Sequence, residues 1–223
     1  MKKKIRVCVL FGGKSGEHNV SLNSAASVIA HLDRLKYDIL PVAISREGRW
    51  LSPGESLQYL KADTREELSR LLTEKEKETD PGRELMAYSA SSERFFDVVF
   101  PVLHGPYGED GTLQGFLELT GVPFVGSDTL SSALAMDKLM AKKVFLADEI
   151  PTPQYWFLRA GDEPDVSSIS FPSVVKPMNL CSSVGISIVW KEDGLQEALR
   201  KAFLEDRKGE VLVEKYIAGQ EIT

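Results

Sequence analysis

The sequence predicts an α/β protein in which a parallel-sheet α/β domain is followed by a second domain of mixed strands and helix. Two observations carry this prediction. Strand-like and helix-like segments alternate in the first half of the chain, whereas several strand-like segments with one helix among them follow in the second half. A length of 223 residues is compatible with one or two domains. We place the boundary near residue 128, which gives domains 1–128 and 129–223.

The first unit reads strand, helix, strand. An almost continuous apolar run from Ile5 to Phe11 predicts a strand buried on both faces, and Gly12-Gly13 ends it. A helix follows, with Ser21 or Asn19 as its expected N-cap. Its apolar positions have helical spacing: Ala25, Val28, Ile29, Leu32 and Leu35. The segment 37–44 is the second strand, and this order implies a parallel pair with a right-handed crossover.

The middle of the chain predicts one charged helix and a third strand. Thr64-Arg65-Glu66-Glu67 has the form of a capping box, so a helix is expected from Thr64 until Asp80-Pro81-Gly82 ends it. Residues 83–94 have no clear period and are expected to form a loop. The apolar run 96–103 predicts a buried strand, although Pro101 removes one ladder donor.

The second half begins with a helix expected over 129–147, and Pro151 and Pro153 then mark a hinge or linker. Short strands are expected near 154–159, 173–177, 185–190 and 210–216. One further helix is indicated by apolar residues at i, i+3, i+4, i+7 and i+8, namely Leu195, Ala198, Leu199, Ala202 and Phe203.

Composition excludes several classes of protein. Apolar residues make up 43% and charged residues 27% of the chain, and no apolar run approaches the roughly 20 residues of a membrane-spanning helix. A formal charge of −6 disfavours nucleic acid as a partner. Two cysteines, Cys8 and Cys181, form no disulfide framework and favour a reducing cytoplasm. The three histidines are too far apart in sequence for an ordinary zinc site.

Two glycine-rich segments follow predicted strands and could bind a small ligand. In residues 12–18, Glu17 falls where the C-terminal ends of parallel strands place ligands, and its carboxylate could hold an ammonium group. In residues 104–112, three glycines, two acids and His104 precede a helix, and the imidazole could bind a carboxylate or phosphate. The alternative for both segments is a turn that needs glycine only for its geometry.

Three segments of the second domain could bind a nucleotide. Lys138 lies on a predicted helix, and Lys176 ends an apolar strand, where a buried ammonium needs an anionic partner. The turn 182–185 offers hydroxyl and amide groups to phosphates. The strand expected near 210–216 carries the charged pair Glu214-Lys215 towards its end, and Glu221 beyond it could accept hydrogen bonds from ribose hydroxyls. The alternative is that these are solvated charges at helix surfaces and strand ends.

Taken in order, these segments resemble the D-alanine:D-alanine ligases of the ATP-grasp superfamily. The resemblance runs through the whole chain, and its His-Gly and Met-Asp-Lys segments are the most specific to the family. It is carried by Gly12-Gly13-Lys14-Ser15-Gly16-Glu17 with Val20-Ser21-Leu22, His104-Gly105 with Gly108-Glu109-Asp110-Gly111-Thr112-Leu113-Gln114-Gly115, Ala135-Met136-Asp137-Lys138, Val175-Lys176-Pro177 with Ser182-Ser183-Val184-Gly185, and Glu214-Lys215. The resemblance implies that residues 129–223 form the first part of an ATP-grasp domain.

The resemblance also implies the reaction and the site for the first substrate. ATP would phosphorylate the carboxylate of one D-alanine, and the amine of a second would attack the acyl phosphate, which supplies a peptidoglycan precursor. Glu17 would hold the ammonium group of the first D-alanine, with Val20 beside it, and His104 would face its carboxylate or the acyl phosphate. Ser182 would link to Glu17 through a chain of hydrogen bonds. Catalysis of this kind is mainly positioning and charge stabilisation.

For ATP, the resemblance implies phosphate contacts from Lys138 and Lys176, with Ser183 on a lid above them. The remaining contacts it implies are Glu214, Lys215 and Ile217 at the adenine and Glu221 at the ribose. The turn departs from the family pattern at Cys181, where the family usually has glycine, and at Met178, where it usually has a small residue.

The family's ligands for two magnesium ions, and an arginine on the transferred phosphoryl group, are expected beyond Thr223. No residue of this chain is therefore assigned to a metal, and negligible ligase turnover is expected of the 223 residues alone. Two alternatives stay open: a non-catalytic binding module, and a ligase that makes D-alanyl-D-lactate or D-alanyl-D-serine. The resemblance further implies a homodimer, whereas the composition favours a cytoplasmic protein with no nucleic-acid or membrane partner.

Overall fold

A parallel sheet of three strands, in the order β2-β1-β3, organises the first part of the computed structural model. The structure describes residues 3–90, 94–178 and 184–220, and the chain divides into two units, Met1–Ala133 and Leu134–Thr223. The strands of the first unit are β1 (Ile5–Gly12), β2 (Tyr37–Ile44) and β3 (Val98–Pro101).

Helices α1 to α7 surround or follow these strands. Their bounds are α1 His18–His31, α2 Pro53–Ser56, α3 Ala62–Leu71, α4 Glu74–Glu78, α5 Pro81–Met86, α6 Thr112–Thr120 and α7 Thr129–Met136. A single 3₁₀ turn, Leu57–Tyr59, is described between α2 and α3. The parallel pairing of β1 with both neighbours confirms the predicted fold class of this part of the chain.

β1 lies at the centre of the sheet because it is apolar on both faces. Val9, Leu10 and Phe11 are completely buried, as expected for a strand covered on both sides. β3 is shorter than the predicted 96–103. Pro101 is its last residue and lies in register with Leu10. A proline has no backbone N–H to donate to the ladder, so it is tolerated where the strand ends.

Helix α1 begins earlier than predicted, and its N-cap prediction was wrong. Glu17 occupies the N-cap without a side-chain cap bond, and Ser21, expected as a cap, lies inside the helix. Its hydroxyl accepts a hydrogen bond from Gly12 N (2.8 Å) and donates one to Val102 O (2.5 Å). Ser21 therefore connects the ends of β1 and β3 instead of capping α1.

The predicted charged helix from Thr64 to residue 80 is instead divided into α3 and α4, and α5 begins directly after it. The capping box predicted at Thr64 does not form, because Lys61 is the N-cap of α3 and has no side-chain cap bond. Capping boxes are instead found at Ser52 and Thr73. Asp80 begins a helix where an end was predicted, since its carboxylate accepts hydrogen bonds from Gly82 N and Arg83 N. Residues 83–86, predicted as loop, are accordingly helical.

The second unit contains a four-stranded sheet in the order β4-β7-β5-β6, with every pair antiparallel. Its elements are α8 Lys138–Ala147, β4 Tyr155–Arg159, β5 Ser173–Pro177, β6 Ser187–Val189, α9 Leu195–Glu205 and β7 Glu210–Lys215, with 3₁₀ turns at Val166–Ser168 and Glu192–Gly194. The predicted strands and the helix over 195–203 are confirmed, with shorter strands at the sheet edge.

The single helix predicted over 129–147 is broken at Asp137. The carboxylate of Asp137 accepts hydrogen bonds from Leu139 N and Met140 N, both at 3.0 Å, and so caps α8. An aspartate in this position favours a new helix start over a continuous helix, because it satisfies two backbone donors. Lys138 is consequently the first residue of α8.

Two apolar clusters form the cores. The core of the first unit surrounds β1, and that of the second lies between α9 and one face of the second sheet. Val175, Val211 and Val213 point into the second core. Because side chains alternate along a strand, Lys176 and Glu214 project from the opposite face of the same sheet.

Candidate functional site

Two glycine-rich loops follow β1 and β3 and are joined by hydrogen bonds. Gly12 and Gly13 have φ of +91° and +98°, and Gly13 N donates to Ile44 O at 2.8 Å. A Cβ on Gly12 would overlap the carbonyl of Ile44, so only glycine allows this turn. The first loop is thereby held against the end of β2.

Ser15 ties the first loop to the second. Its Oγ donates to His104 O at 2.7 Å and accepts from Glu17 N at 3.3 Å. On the second loop, a Cβ at Gly105 would lie only 2.5 Å from Glu17 Oε2, so the carboxylate rests directly on the glycine backbone. Glu17 and the residue next to His104 are therefore neighbours, although 88 positions in sequence separate Glu17 from Gly105.

The imidazole of His104 has a partner near each ring nitrogen. Nε2 lies 3.0 Å from Ser24 Oγ, and Nδ1 lies 3.8 Å from Glu109 Oε1. The other oxygen of Glu109 accepts a hydrogen bond from Gly105 N at 2.6 Å. These contacts orient the ring, and the partly exposed side chains of His104 and Glu17 give this surface one group suited to an anion and one suited to a cation.

Sequence reasoning missed Ser15 and Ser24 as positioning residues, and it did not assign Glu109 a role. Single serines on a loop or helix carry no distinctive sequence signal, so only the fold identifies them. Val20, a predicted substrate contact, lies on the first turn of α1 and is 50% exposed. Ser182 lies outside the described residues, so its predicted link to Glu17 stays a prediction.

In the second unit, Lys176 and Glu214 form an ion pair on the face of the sheet opposite the core. β5 and β7 are antiparallel, with Lys176 opposite Leu212 and Val174 opposite Glu214. The two charged residues are diagonal neighbours on one face, and Lys176 Nζ contacts Glu214 Oε2. The strand-end lysine thus has the anionic partner that its position called for.

A second lysine, Lys142 of α8, reaches the same carboxylate. Its Nζ lies 2.7 Å from Glu214 Oε1, and the side chain is 6% exposed. Sequence reasoning missed this residue because a lysine on a helix is ordinarily solvated. The face therefore carries one carboxylate between two ammonium groups, which leaves net positive charge suited to an anion.

The other predicted nucleotide contacts lie around these strands. Lys138 Nζ donates to Met178 O at 2.9 Å, so its ammonium group lies just beyond the end of β5 that carries Lys176. Lys215 ends β7 and is exposed, and Ile217 beyond it is exposed as well. Ser183, Cys181 and Glu221 fall outside the described residues.

The described residues contain no group of three or more His, Cys, Asp or Glu side chains that could hold a metal ion. Within the same described ranges, no helix is both long and apolar enough to cross a bilayer.

Two family models match the chain, one for the D-ala D-ala ligase N-terminus over residues 6–127 and one for the D-ala D-ala ligase C-terminus over residues 145–223. A D-alanine–D-alanine ligase of Deinococcus radiodurans is 44% identical over 214 residues, covering 92% of this chain and 59% of that protein. The chain thus spans about three fifths of the length of such relatives.

Solved structures agree. The VanG D-Ala:D-Ser ligase of Enterococcus faecalis matches with a TM-score of 0.73 and 34% identity, covering 97% of this chain and 64% of that one. A D-alanine–D-alanine ligase of Bacillus anthracis complexed with ATP matches with a TM-score of 0.68 and 32% identity, covering 96% and 60%. A parallel-sheet unit, a mixed-sheet unit and these likenesses define the class: this is an ATP-grasp protein. Within that class, the chain belongs to the D-alanine–D-alanine ligase family.

Proposed function

We propose that the protein containing this chain joins two D-alanines in an ATP-dependent reaction for peptidoglycan precursor synthesis. The γ-phosphoryl group of ATP passes to a carboxylate oxygen of the first D-alanine, giving an acyl phosphate and ADP. The amine of the second D-alanine then attacks the carbonyl carbon, inorganic phosphate leaves, and a proton is lost from nitrogen. The carboxylate needs this activation because its own oxygen is a poor leaving group.

The observation that carries the proposal is the adjacency of Glu17 to the His104–Gly105 backbone. An amino acid presents an ammonium group and a carboxylate, and this surface offers the Glu17 carboxylate against the backbone of the loop that carries the His104 imidazole. In the proposal, Glu17 holds the ammonium group, His104 faces the carboxylate or the acyl phosphate, and Val20 and Ser182 complete the site. The contacts of His104 with Ser24 and Glu109 support a fixed ring orientation.

The positively charged face of the second unit supports the ATP site. We assign the phosphates to Lys138 and Lys176, with Ser183 above them. We assign the adenine and ribose to Glu214, Lys215, Ile217 and Glu221. The ammonium group of Lys176 is already paired with Glu214, so binding ATP would exchange one anionic partner for another.

Magnesium is proposed as the metal that accompanies ATP, with ligands outside this chain. The described residues contain no group of three or more His, Cys, Asp or Glu side chains that could hold it. No step is therefore assigned to the metal here. We also propose that the protein is a homodimer and that it is cytoplasmic. Light scattering of the purified chain tests the dimer.

Titration calorimetry with MgATP and with D-alanine tests the proposal on this chain. We expect Lys176→Ala to weaken MgATP binding by about 1–3 kcal/mol, the range for a lost charge-assisted hydrogen bond. Glu17→Gln should weaken D-alanine binding and leave MgATP affinity unchanged. Lys143→Ala, which changes an exposed lysine on α8, is the matched control. MgATP affinity that is equal in the wild-type, Lys176→Ala and Lys143→Ala chains would remove Lys176 from the site.

A second candidate is supported by the likeness to a protein named as a D-Ala:D-Ser ligase. The first substrate and ATP would bind as above, and only the second acceptor would differ. To separate these activities, the protein is supplied with D-alanine, D-serine or D-lactate as the second substrate. The product is then identified by mass spectrometry. Light scattering together with MgATP titration tests the non-catalytic binding module, and a monomer with no partner would count against it.

A further inference from the structure

Lys142 is a buried cation to which the proposed function assigns no contact with ATP. Its ammonium group has three acceptors: Glu214 Oε1 at 2.7 Å, Thr152 Oγ1 at 2.6 Å and Pro153 O at 3.1 Å. A lysine ammonium has three N–H donors, so all of them are used. The ring of Tyr155 also lies 5.1 Å from Nζ. The group is therefore fixed in place.

Lys176 contacts the other oxygen of the same carboxylate but is more exposed than Lys142. Its side chain is 21% exposed, against 6% for Lys142, and it stands near the end of β5. A long side chain with an exposed end can change rotamer at small cost, whereas a buried and fully bonded one cannot. Of the two lysines that contact Glu214, Lys176 can move away from the carboxylate and Lys142 remains bonded to it.

We infer that Lys142 is a positioning residue: it is the permanent counterion of Glu214 and so allows Lys176 to leave the carboxylate for a phosphate. The inference rests on the proposed function, in which Lys176 binds phosphate. Glu214 is 10% exposed, and a buried carboxylate with no partner is strongly unfavourable. Without Lys142, departure of Lys176 would strand that charge, so Glu214 would retain Lys176.

Inorganic tripolyphosphate is the sharpest probe, because it reports the phosphate contacts without any contribution from adenine. Its affinity for the full 223-residue chain is measured by calorimetry for the wild type, Lys142→Met, Glu214→Gln and the double variant. Lys142→Met should bind about tenfold more weakly, since part of the buried-pair energy now opposes release of Lys176. Lys143→Met, its exposed neighbour, should bind within about twofold of wild type.

The double variant separates positioning from a merely structural role. With Glu214 neutral, Lys176 is no longer held, so Glu214→Gln should bind tripolyphosphate at least as tightly as wild type, and the double variant should recover the affinity lost in Lys142→Met. A structural role for Lys142 predicts the opposite, because the second substitution would add to the damage. The double variant contains neither the buried ammonium group of Lys142 nor the buried carboxylate of Glu214. It can therefore be compared with Glu214→Gln even if Lys142→Met does not fold.

The outcomes distinguish this inference from the proposed function. If the wild-type chain binds neither MgATP nor tripolyphosphate, the ATP site itself is refuted. If it binds both, but Lys142→Met behaves like Lys143→Met, or Glu214→Gln fails to restore binding, the ATP site stands and the positioning role of Lys142 is overturned.

Discussion

The two units of this chain hold their candidate site residues by different means. In the first unit, serine hydroxyls bond to backbone groups at the ends of β1 and β3, and these bonds involve no charged side chain. In the second unit, the residues of interest are held by mutual charge, with Glu214 between Lys142 and Lys176. The serine contacts of the first unit are neutral hydrogen bonds, whereas the contacts of Glu214 with the two lysines are ion pairs.

This difference has a functional consequence. Hydrogen bonds from hydroxyl groups to buried backbone fix a loop in one geometry, which suits a small zwitterion that needs fixed partners. An ion pair can exchange one partner for another of the same charge, which suits a polyphosphate that arrives with several negative charges. The following substitutions test the comparison, beginning with the largest expected effect.

Lys142→Met should be the most destabilising change and should act within the second unit. Removing one partner of a buried ion pair ordinarily costs about 3–5 kcal/mol, and because Lys176 still contacts Glu214 we expect about 3 kcal/mol. Native-state hydrogen exchange of the amides of β7 measures the change locally. Lys143→Met should stay within about 0.5 kcal/mol of wild type.

Faster exchange in β1 as well as β7 would contradict this local effect. An unchanged exchange rate in β7 would mean that Lys142 contributes nothing to the stability of the unit, despite its three acceptors.

Ser21→Ala is the corresponding test in the first unit. The change leaves Gly12 N and Val102 O buried without a partner, and we expect a loss of about 2 kcal/mol in the free energy of unfolding. Urea denaturation followed by tryptophan fluorescence measures it, in a background where Trp156 and Trp190 are replaced by Phe so that Trp50 is the reporter. Ser27→Ala, at an exposed position of the same helix, should be neutral or slightly stabilising, because alanine favours helix.

High salt separates the two kinds of cohesion further. The cost of Ser21→Ala should not depend on ionic strength, since no charge is involved. A salt-dependent cost would indicate that the loops of the first unit are also held by electrostatics.

The sequence predicted the sheet of the first unit well because β1 is apolar on both faces, a pattern that does not depend on distant contacts. It failed where polar residues have two possible uses. Ser21 was expected to cap a helix, but it bonds across to Val102, 81 positions away. Asp80 and Asp137 were expected in or after helices, but each begins one. A side chain's partner determines its role, and sequence spacing does not give the partner.

The candidate site shows the same limit. Glu17, His104 and Lys176 could be proposed because glycine-rich loops and a strand-end lysine stand out locally. Lys142 could not, since its burial depends on Thr152, Pro153 and Glu214, which come together only in the fold. Chemically distinctive residues are visible in sequence, whereas the residues that orient them are mostly not.

Cys8 provides a pH test of the neutral interior of the first unit. Burial raises the pKa of its thiol from 9.0 to about 12, because the thiolate would lie in an apolar strand. The unfolded chain releases this proton first as the pH rises, so stability falls above about pH 9. The expected loss is about 1.4 kcal/mol by about pH 10. Urea denaturation of the wild type and Cys8→Ala across this range should show the slope only in the wild type.

An equal alkaline slope in Cys8→Ala would mean that another group causes it. Thiol labelling near neutral pH offers a second readout: in a Cys181→Ser background, Cys8 should react only after denaturation, because it is 1% exposed and protonated.

The smallest effect concerns how the helix that leads into each site is capped. α1 starts at Glu17 without a side-chain cap bond, which leaves that carboxylate available to a ligand, whereas α8 starts at Asp137, whose carboxylate accepts from Leu139 N and Met140 N. Asp137→Ala should therefore cost about 1 kcal/mol, and Asp137→Asn much less, since asparagine also caps. Glu17→Ala should leave the stability of α1 nearly unchanged. Hydrogen exchange in the first turn of each helix measures both. If Glu17→Ala frays α1 as strongly as Asp137→Ala frays α8, then Glu17 stabilises its helix and is not reserved for the substrate.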